Sequence, residues 1–306
     1  MDGRVRLGLV GLGNIAKKAY MPVLVKEKDW TLAGCYSRTK ENREAFSKEY
    51  RIKAYDSLEE LSKNIDAVII NASTDSHYGL AKFFLEKGIH VMIDKPLAPT
   101  VEECEKLVFA SVNNQAKLMV TFNRRFAPLY EKLKKEVTST SIIRIIKNRS
   151  NRIGPQDAKF TINDDYIHLV DTARWLFDGK LIMVDGDVVV NRENQLIYAN
   201  HSYRSPDGVR IETLLHRDAG KTVEIIEILN EGKALRVIDL ATLEIDEDNE
   251  TRITSPSQWG TVEETKGFEG AINHFINCVF LDEEPRSSGM EALATQRVID
   301  SIIRSI

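Results

Sequence analysis

The chain has 306 residues, enough for two ordinary cores rather than one. With 42% hydrophobic and 29% charged residues it reads as a globular protein, and a formal net charge of -4 gives no electrostatic reason to expect nucleic acid or an anionic membrane as a partner. Its three cysteines, Cys35, Cys104 and Cys278, are scattered and show no CxxC spacing, which argues against a disulfide framework or a structural zinc and for a reduced, cytoplasmic setting.

The opening "MDGRVRLGLVGLG" holds an apolar run that is short and broken by glycines, without the h-region or cleavage site of a signal peptide. No window is long enough to span a bilayer. The run reads as a buried strand, followed by the helical "NIAKKAYMPVLVKE". "WTLAGCYSR" is a second strand and "KENREAFSKEY" a charged helix. "AVIINAS" is a third apolar run, and "HYGLAKFFLEKG" a helix ending at Gly88, a favoured C-cap residue. "HVMID" is a further strand. "TVEECEKLVFASVNN" is a helix with Thr100 as N-cap, and "KLMVTFN" closes the set. Strands alternating with helices and apolar on both faces indicate a parallel sheet covered on two sides.

"GLGNIA", Gly11 to Ala16, fits G-x-G-x-x-[GA] at the first strand-to-helix junction. Gly11 permits the tight turn and Gly13 lets the backbone approach a pyrophosphate. Asn14 and Ile15 open the helix whose N-terminus would face the phosphates, and Ala16 lets helix and strand pack closely. The acidic residue expected about twenty positions on, to hold a ribose 2′-hydroxyl, is missing. Ser37 and Arg38 stand there instead. An arginine can pair with a 2′-phosphate, so the expected cofactor is NADP, with NAD as the alternative.

The second half changes character. "IIRIIKNRS", "IMVDGDVVVN", "LIYANHSYR", "VRIETLLHR", "TVEIIEIL" and "ALRVIDLATLEI" are strands separated by Gly, Asn and Asp turns, most of them alternating with period two. They predict a mostly antiparallel sheet. Between the first two lies a helix, "NDDYIHLVDTARWL". At 100° per residue it places Asp164, His168, Asp171 and Trp175 on one narrow face, while Asp165 falls off that face as a bystander. A solvated stripe, a metal site and a proton-transfer device are all open readings of that face. Two helices, from Phe268 and from Met290, end the chain.

The order of GLGNIA, "STDSHYGLA", "DKP" at Asp94–Pro96, "FNRRFAP" at Phe122–Pro128 and D-x-x-x-H at Asp164–His168 resembles the Gfo/Idh/MocA oxidoreductase family, and its MviM-type members in particular. The resemblance implies an α/β fold: a Rossmann domain over residues 1–122, then a substrate-binding domain over 123–267 built on a mostly antiparallel open sheet. The C-terminal helices, 268–306, would pack back onto the Rossmann domain, and the open sheet would join subunits in a homodimer or larger homo-oligomer. The family's E-K-P motif, here with Asp94 in place of Glu, makes Lys95 the group beside the nicotinamide and the reacting oxygen. Its D-x-x-x-H makes His168 the proton carrier and Asp164 its partner, with Asp171 as support. Ser73, Thr74 and His77 stand where the family touches the cofactor, as does Lys95.

Asn123 and Arg124 (or Arg125) are secondary candidates for substrate hydroxyls or the nicotinamide ribose, and "KNRSNR", which contains Asn151, suits a polyhydroxylated or acidic substrate. With no second histidine at ligand spacing, no metal is expected. The expected activity is hydride transfer between a nicotinamide cofactor and a sugar, polyol or related hydroxy or keto compound. The alternatives are an NAD-dependent glycosidase of the same fold and a non-catalytic NAD(P)-binding regulator.

Overall fold

The computed structural model describes residues 3–178, 181–206, 208–257 and 259–306. Its contacts divide the chain into two compact units. One is the chain up to Phe122 with Phe268–Ala294; the other is Asn123–Gly267 with Thr295–Ile306. The C-terminal region is thus shared between the units: the last helix begins in the first and ends in the second.

In the first unit five parallel strands, β1 (Val5–Val10), β2 (Trp30–Tyr36), β3 (Ala67–Ile70), β4 (His90–Asp94) and β5 (Leu118–Thr121), lie in the order β2-β1-β3-β4-β5. Every residue of β3 and β5 is buried, as both-face coverage by helices requires. The covering helices are α1 (Met21–Leu24), α2 (Lys40–Tyr50), α3 (Leu58–Ser62), α4 (Thr74–Leu85) and α5 (Val101–Asn113). Ser57 and Thr100 cap α3 and α5 by accepting from the amides of Glu60 and Glu103. The strand order reverses between β1 and β3, the position at which open α/β sheets bind ligands beyond their carboxyl ends.

The helix after β1 departs from the regular helix that its sequence suggests. Ala16–Tyr20 is a π turn, with the Met21 amide bonded to the Ala16 carbonyl. Pro22 explains it: with no amide hydrogen and a ring that crowds the carbonyl four residues back, it disfavours regular α-bonding there.

In the second unit, α6 (Pro128–Lys134), α7 (Ala158–Thr161) and α8 (Ile167–Leu176) accompany an eight-stranded sheet. Its strands are β6 (Ile142–Asn148), β7 (Ile182–Val190), β8 (Leu196–Arg204), β9 (Arg210–His216), β10 (Val223–Asn230), β11 (Lys233–Ile238), β12 (Thr242–Glu247) and β13 (Glu250–Thr254), in the order β13-β12-β11-β10-β6-β9-β8-β7. All pairings are antiparallel except β6 with β9. "ALRVIDLATLEI" is two strands rather than one, because Asp239 and Leu240 adopt positive φ and turn the chain between β11 and β12. Helix α8 lies against β6 and β9, and α6 against β11. The chain continues through α9 (Val262–Thr265), α10 (Phe268–Leu281) and α11 (Gly289–Ile303). Among the described residues no helix is long and apolar enough to cross a membrane.

Candidate functional site

Beyond the carboxyl ends of β1 and β3 the first unit opens a cleft of about 490 Å³. Gly11 turns out of β1 with φ +86°, and a Cβ there would sit 2.5 Å from the Ala72 amide nitrogen, so the two loops touch backbone to backbone. Gly13 is the opposite case. A Cβ on it would meet nothing within 4 Å, which leaves room for a phosphate against bare backbone. Helical backbone begins at Asn14, so the amides of a helix N-terminus adjoin that room. Asn14 and Ile15 are exposed beside the cleft rather than lining it.

Tyr36, Ser37 and Arg38 from the end of β2 and Asn71, Ala72 and Ser73 from the end of β3 form two walls, with Leu58, Leu80 and Phe83 as apolar surface. Arg38 is the single charged side chain among the described lining residues. Ser73 occupies the N-cap position of α4 and Thr74 its first turn. The bare backbone at Gly13, the helix start and a wall without carboxylates fit a dinucleotide phosphate.

His77 is placed differently. It is buried, with Nδ1 2.7 Å from the Pro96 carbonyl oxygen and Nε2 3.0 Å from that of Ala72. Burial lowers its pKa, against the pull of the two carbonyls and of Asp94. The ring joins the turn after β3 to the turn that carries Lys95, so it braces the cleft from behind. Lys95 follows β4, half-buried, in a cis Lys95–Pro96 bond. Near Asp94, the residue before Lys95, the pKa of the buried Tyr20 phenol is raised well above the usual range, first by burial and then by the charge of Asp94.

In the second unit the D-x-x-x-H segment is not one regular helix. Ile162–Tyr166 is a π turn, closed by the Ile167 amide on the Ile162 carbonyl, and α8 follows. From Ile162 to Leu176 Asp164 is exposed, Asn163 and His168 are half-buried, and every other residue is buried. The narrow charged face expected from an α-helical period is therefore corrected. Asp171, 1% exposed, accepts from Arg125 at 2.7 and 2.9 Å and from the Thr295 hydroxyl at 3.0 Å. It holds the interior together and leaves His168 without the support expected from it. Asp164 and His168 are the pair that the fold leaves accessible.

Asp165, expected as a bystander, is the hub of a buried ion cluster. Its carboxylate takes Lys147 Nζ at 2.5 Å, Arg217 Nη1 at 2.5 Å and two nitrogens of Arg149 at 2.9 and 3.0 Å. Burial would raise its pKa, but the charges of Lys147 and Arg149 and their hydrogen bonds hold it far below the carboxylate range. Next to it Glu224 accepts from Arg124 Nε at 2.7 Å and Nη2 at 2.6 Å and from the Tyr130 hydroxyl at 2.9 Å. Burial again acts upward, yet Arg124 and Lys147 keep Glu224 at about 2. Lys147 is pushed down to about 8, chiefly by burial and then by the charge of Arg124.

Arg124 and the buried Asn123 thus spend their polar groups inside the unit: Asn123 donates to the Lys266 carbonyl at 2.8 Å and accepts from Arg124 at 3.3 Å. Asn151 is exposed, at positive φ, and its amide donates to Asp218 at 3.1 Å. The sequence signal for this cluster was available. Lys147 and Glu224 occupy inward positions of strands whose other inward residues are Ile143, Ile145, Ile226 and Ile228, and the two are register partners. Opposite charges at core positions of paired strands mark a buried ion pair. Among the described residues no group of three or more His, Cys, Asp or Glu side chains is placed to hold a metal.

Residues 5–122 match the model of an oxidoreductase family with an NAD-binding Rossmann fold, and residues 128–248 that of a YceM-like C-terminal domain. The chain is 37% identical to the "Putative oxidoreductase YceM" of Salmonella typhimurium over 98% of its own length and 97% of that protein. It belongs to the Gfo/Idh/MocA oxidoreductase family.

A solved family structure, the MviM dehydrogenase from Clostridium difficile, is 37% identical and superposes with a TM-score of 0.96 over 99% of each chain. A Gfo/Idh/MocA oxidoreductase from Vibrio cholerae, at 26% identity, gives 0.87 over 98% of this chain and 99% of that one. An inositol 2-dehydrogenase of Rhizobium meliloti is 25% identical over 99% of this chain and 97% of its own. As a Gfo/Idh/MocA member the chain is an oxidoreductase with an NAD(P)-binding Rossmann domain.

Proposed function

We propose that the protein oxidises or reduces a sugar, polyol or related hydroxy compound with NADP(H), and that Lys95, Asp164 and His168 handle the proton. The observation that carries this reading is the exposure pattern of Ile162–Leu176, a segment buried almost throughout that opens at Asp164 and in part at His168. A helix built only for packing has no use for an accessible acid–imidazole pair inside an otherwise buried stretch. When bound, the nicotinamide supplies hydride chemistry at its C4 carbon. His168 takes the hydroxyl proton of an alcohol, or returns it to a carbonyl, at a ring nitrogen. Asp164 is assigned as the partner of His168, and the Lys95 ammonium donates to the reacting oxygen as negative charge grows there.

Gly11, Gly13, Asn14, Ile15, Ser37, Arg38, Ser73 and Thr74 are assigned to the cofactor, with His77 acting from behind the wall. A cleft wall whose one charged group among the described residues is Arg38 supports NADP over NAD. Of the substrate-side candidates Asn151 remains so assigned, whereas Asn123 and Arg124, engaged with Lys266 and Glu224, are assigned to holding the second unit together, and the chain is proposed to act as a homodimer through the eight-stranded sheet. Turnover of a sugar and polyol panel with Lys95→Met and His168→Asn tests the assignment. Both variants should lose at least about a hundredfold in kcat while keeping the wild-type rise in Tm with NADPH, a rise larger than that with NADH. Unchanged kcat in both removes the proton-transfer roles, and an equal or larger rise with NADH removes the NADP preference.

A further inference from the structure

The cluster around Asp165 does not balance its charge. Arg124, Lys147, Arg149 and Arg217 share two carboxylates, Asp165 and Glu224. The neighbouring carboxylates Asp218 and Asp239 are exposed and accept from the backbone amides of Asn151 and Glu224 rather than from these cations. Two positive charges are therefore surplus in a region where side-chain exposure is 5% for Lys147, 12% for Arg124, 15% for Arg217 and 33% for Arg149. Buried cations without counter-charge are costly, and a fold that keeps them has another use for them.

The surplus has a direction. Arg124 is bound along its fork by Glu224, and Lys147 lies between both carboxylates. Arg149 uses Nε and Nη2 on Asp165, and Arg217 uses Nε on the Arg152 carbonyl and Nη1 on Asp165. Arg149 Nη1 and Arg217 Nη2 have no acceptor among the described residues. The two arginines follow the register partners Asn148 and His216 at the ends of the parallel strands β6 and β9, and one carboxylate anchors both. Two guanidinium groups fixed side by side, each with an unused N–H edge, are a ready-made receptor for a tetrahedral or planar oxyanion. The carboxylate that anchors both arginines, Asp165, follows directly on Asp164 in the chain, within the same π turn.

We propose that Arg149 and Arg217 bind an anionic group of the substrate, a phosphate or a carboxylate remote from the reacting carbon, so that the substrate class is acidic sugars or polyols. This rests on the oxidoreductase reading of Asp164 and His168 for the reacting end alone. The test compares each sugar or polyol in neutral, phosphorylated and carboxylate forms, with both nicotinamides, on the full chain. Expected is a kcat/KM at least about tenfold higher for one anionic form than for the neutral one. Arg149→Gln and Arg217→Gln should raise KM for that form about tenfold or more, well beyond any change in KM for the neutral form. Arg149→Lys, which keeps the charge and loses the fork, should fall between.

A preference for phosphate or for carboxylate identifies the group. Equal or better turnover of neutral forms overturns the proposal. Calorimetric titration of the unmodified protein with inorganic phosphate keeps the inference separate from the redox reading. Saturable binding that is lost in Arg217→Gln supports the receptor even if no compound on the panel turns over, a result that would instead count against the sugar and polyol reading. No saturable heat from phosphate, sulfate or acetate overturns the receptor.

Discussion

Glu224 shows how one side chain can tie stability to pH. It is buried, yet its pKa falls from 4.5 to about 2, because the Arg124 fork, the Lys147 charge and the Tyr130 hydroxyl outweigh the penalty of burial. Above pH 4.5 the carboxylate is ionised in both folded and unfolded chains and its stabilisation is fully present. Between 4.5 and 2 the unfolded chain takes up a proton that the folded chain refuses, so stability falls as pH falls. A shift of this size corresponds to about 3 kcal/mol, and Asp165, lowered for the same kind of reason, acts in the same direction. Urea unfolding between pH 5.5 and 3 checks it. The wild type should lose stability steeply, and Glu224→Gln, less stable at neutral pH because Arg124 is left with a weaker partner, should show a distinctly shallower slope. Equal slopes would mean that the acid sensitivity arises elsewhere.

At the scale of elements, the π turn of Ile162–Tyr166 bears on which carboxylate is buried and which is exposed. An i→i+5 closure puts one more residue into the turn than an α-helix holds. Positions before it therefore fall out of phase with α8, and a projection at a constant 100° misassigns them. The spacing and the family motif point to Asp164 and His168, which stay accessible, whereas Asp165 reads as a bystander from sequence and is instead the hub of the buried ion cluster. The other feature at this level follows from Pro22, which is visible in the sequence even though the π turn it favours is not. Two neighbouring carboxylates should accordingly answer to different measurements. Asp165→Asn strips the counter-charge from Lys147, Arg149 and Arg217 and should cost about 3–5 kcal/mol in chemical unfolding. Asp164→Asn, at an exposed position, should stay within about 0.5 kcal/mol of wild type while turnover falls. Comparable destabilisation by both would show that the turn does not separate a structural acid from a catalytic one.

For the whole molecule, strand alternation and the GLGNIA turn foretold a parallel Rossmann unit and a mostly antiparallel second sheet. What stayed out of reach was long-range: the division of the last helix between the units at Ala294 and Thr295, and the order in which eight strands pair. Such features depend on which surfaces meet, and periodicity reports only that a surface exists. The second sheet leaves one of these meetings open. Strand β7 is one of its two edges, nine residues long, and Ile182, Met183 and Val184 are 60%, 41% and 56% exposed in succession, so apolar groups stand on both sides of an edge with backbone groups to pair. Asp185 and Asp187 are the carboxylates along it, and natural edges of that length are usually blunted by more than this or covered by a partner. The homodimer proposed above would cover it with a second copy of the chain. Sedimentation velocity should return twice the chain mass at micromolar concentration, and Val184→Asp or Met183→Asp should return the single chain with its NADPH-induced rise in Tm intact. A wild-type protein that sediments as a monomer at these concentrations would leave the β7 edge unexplained and remove the sheet as the subunit contact.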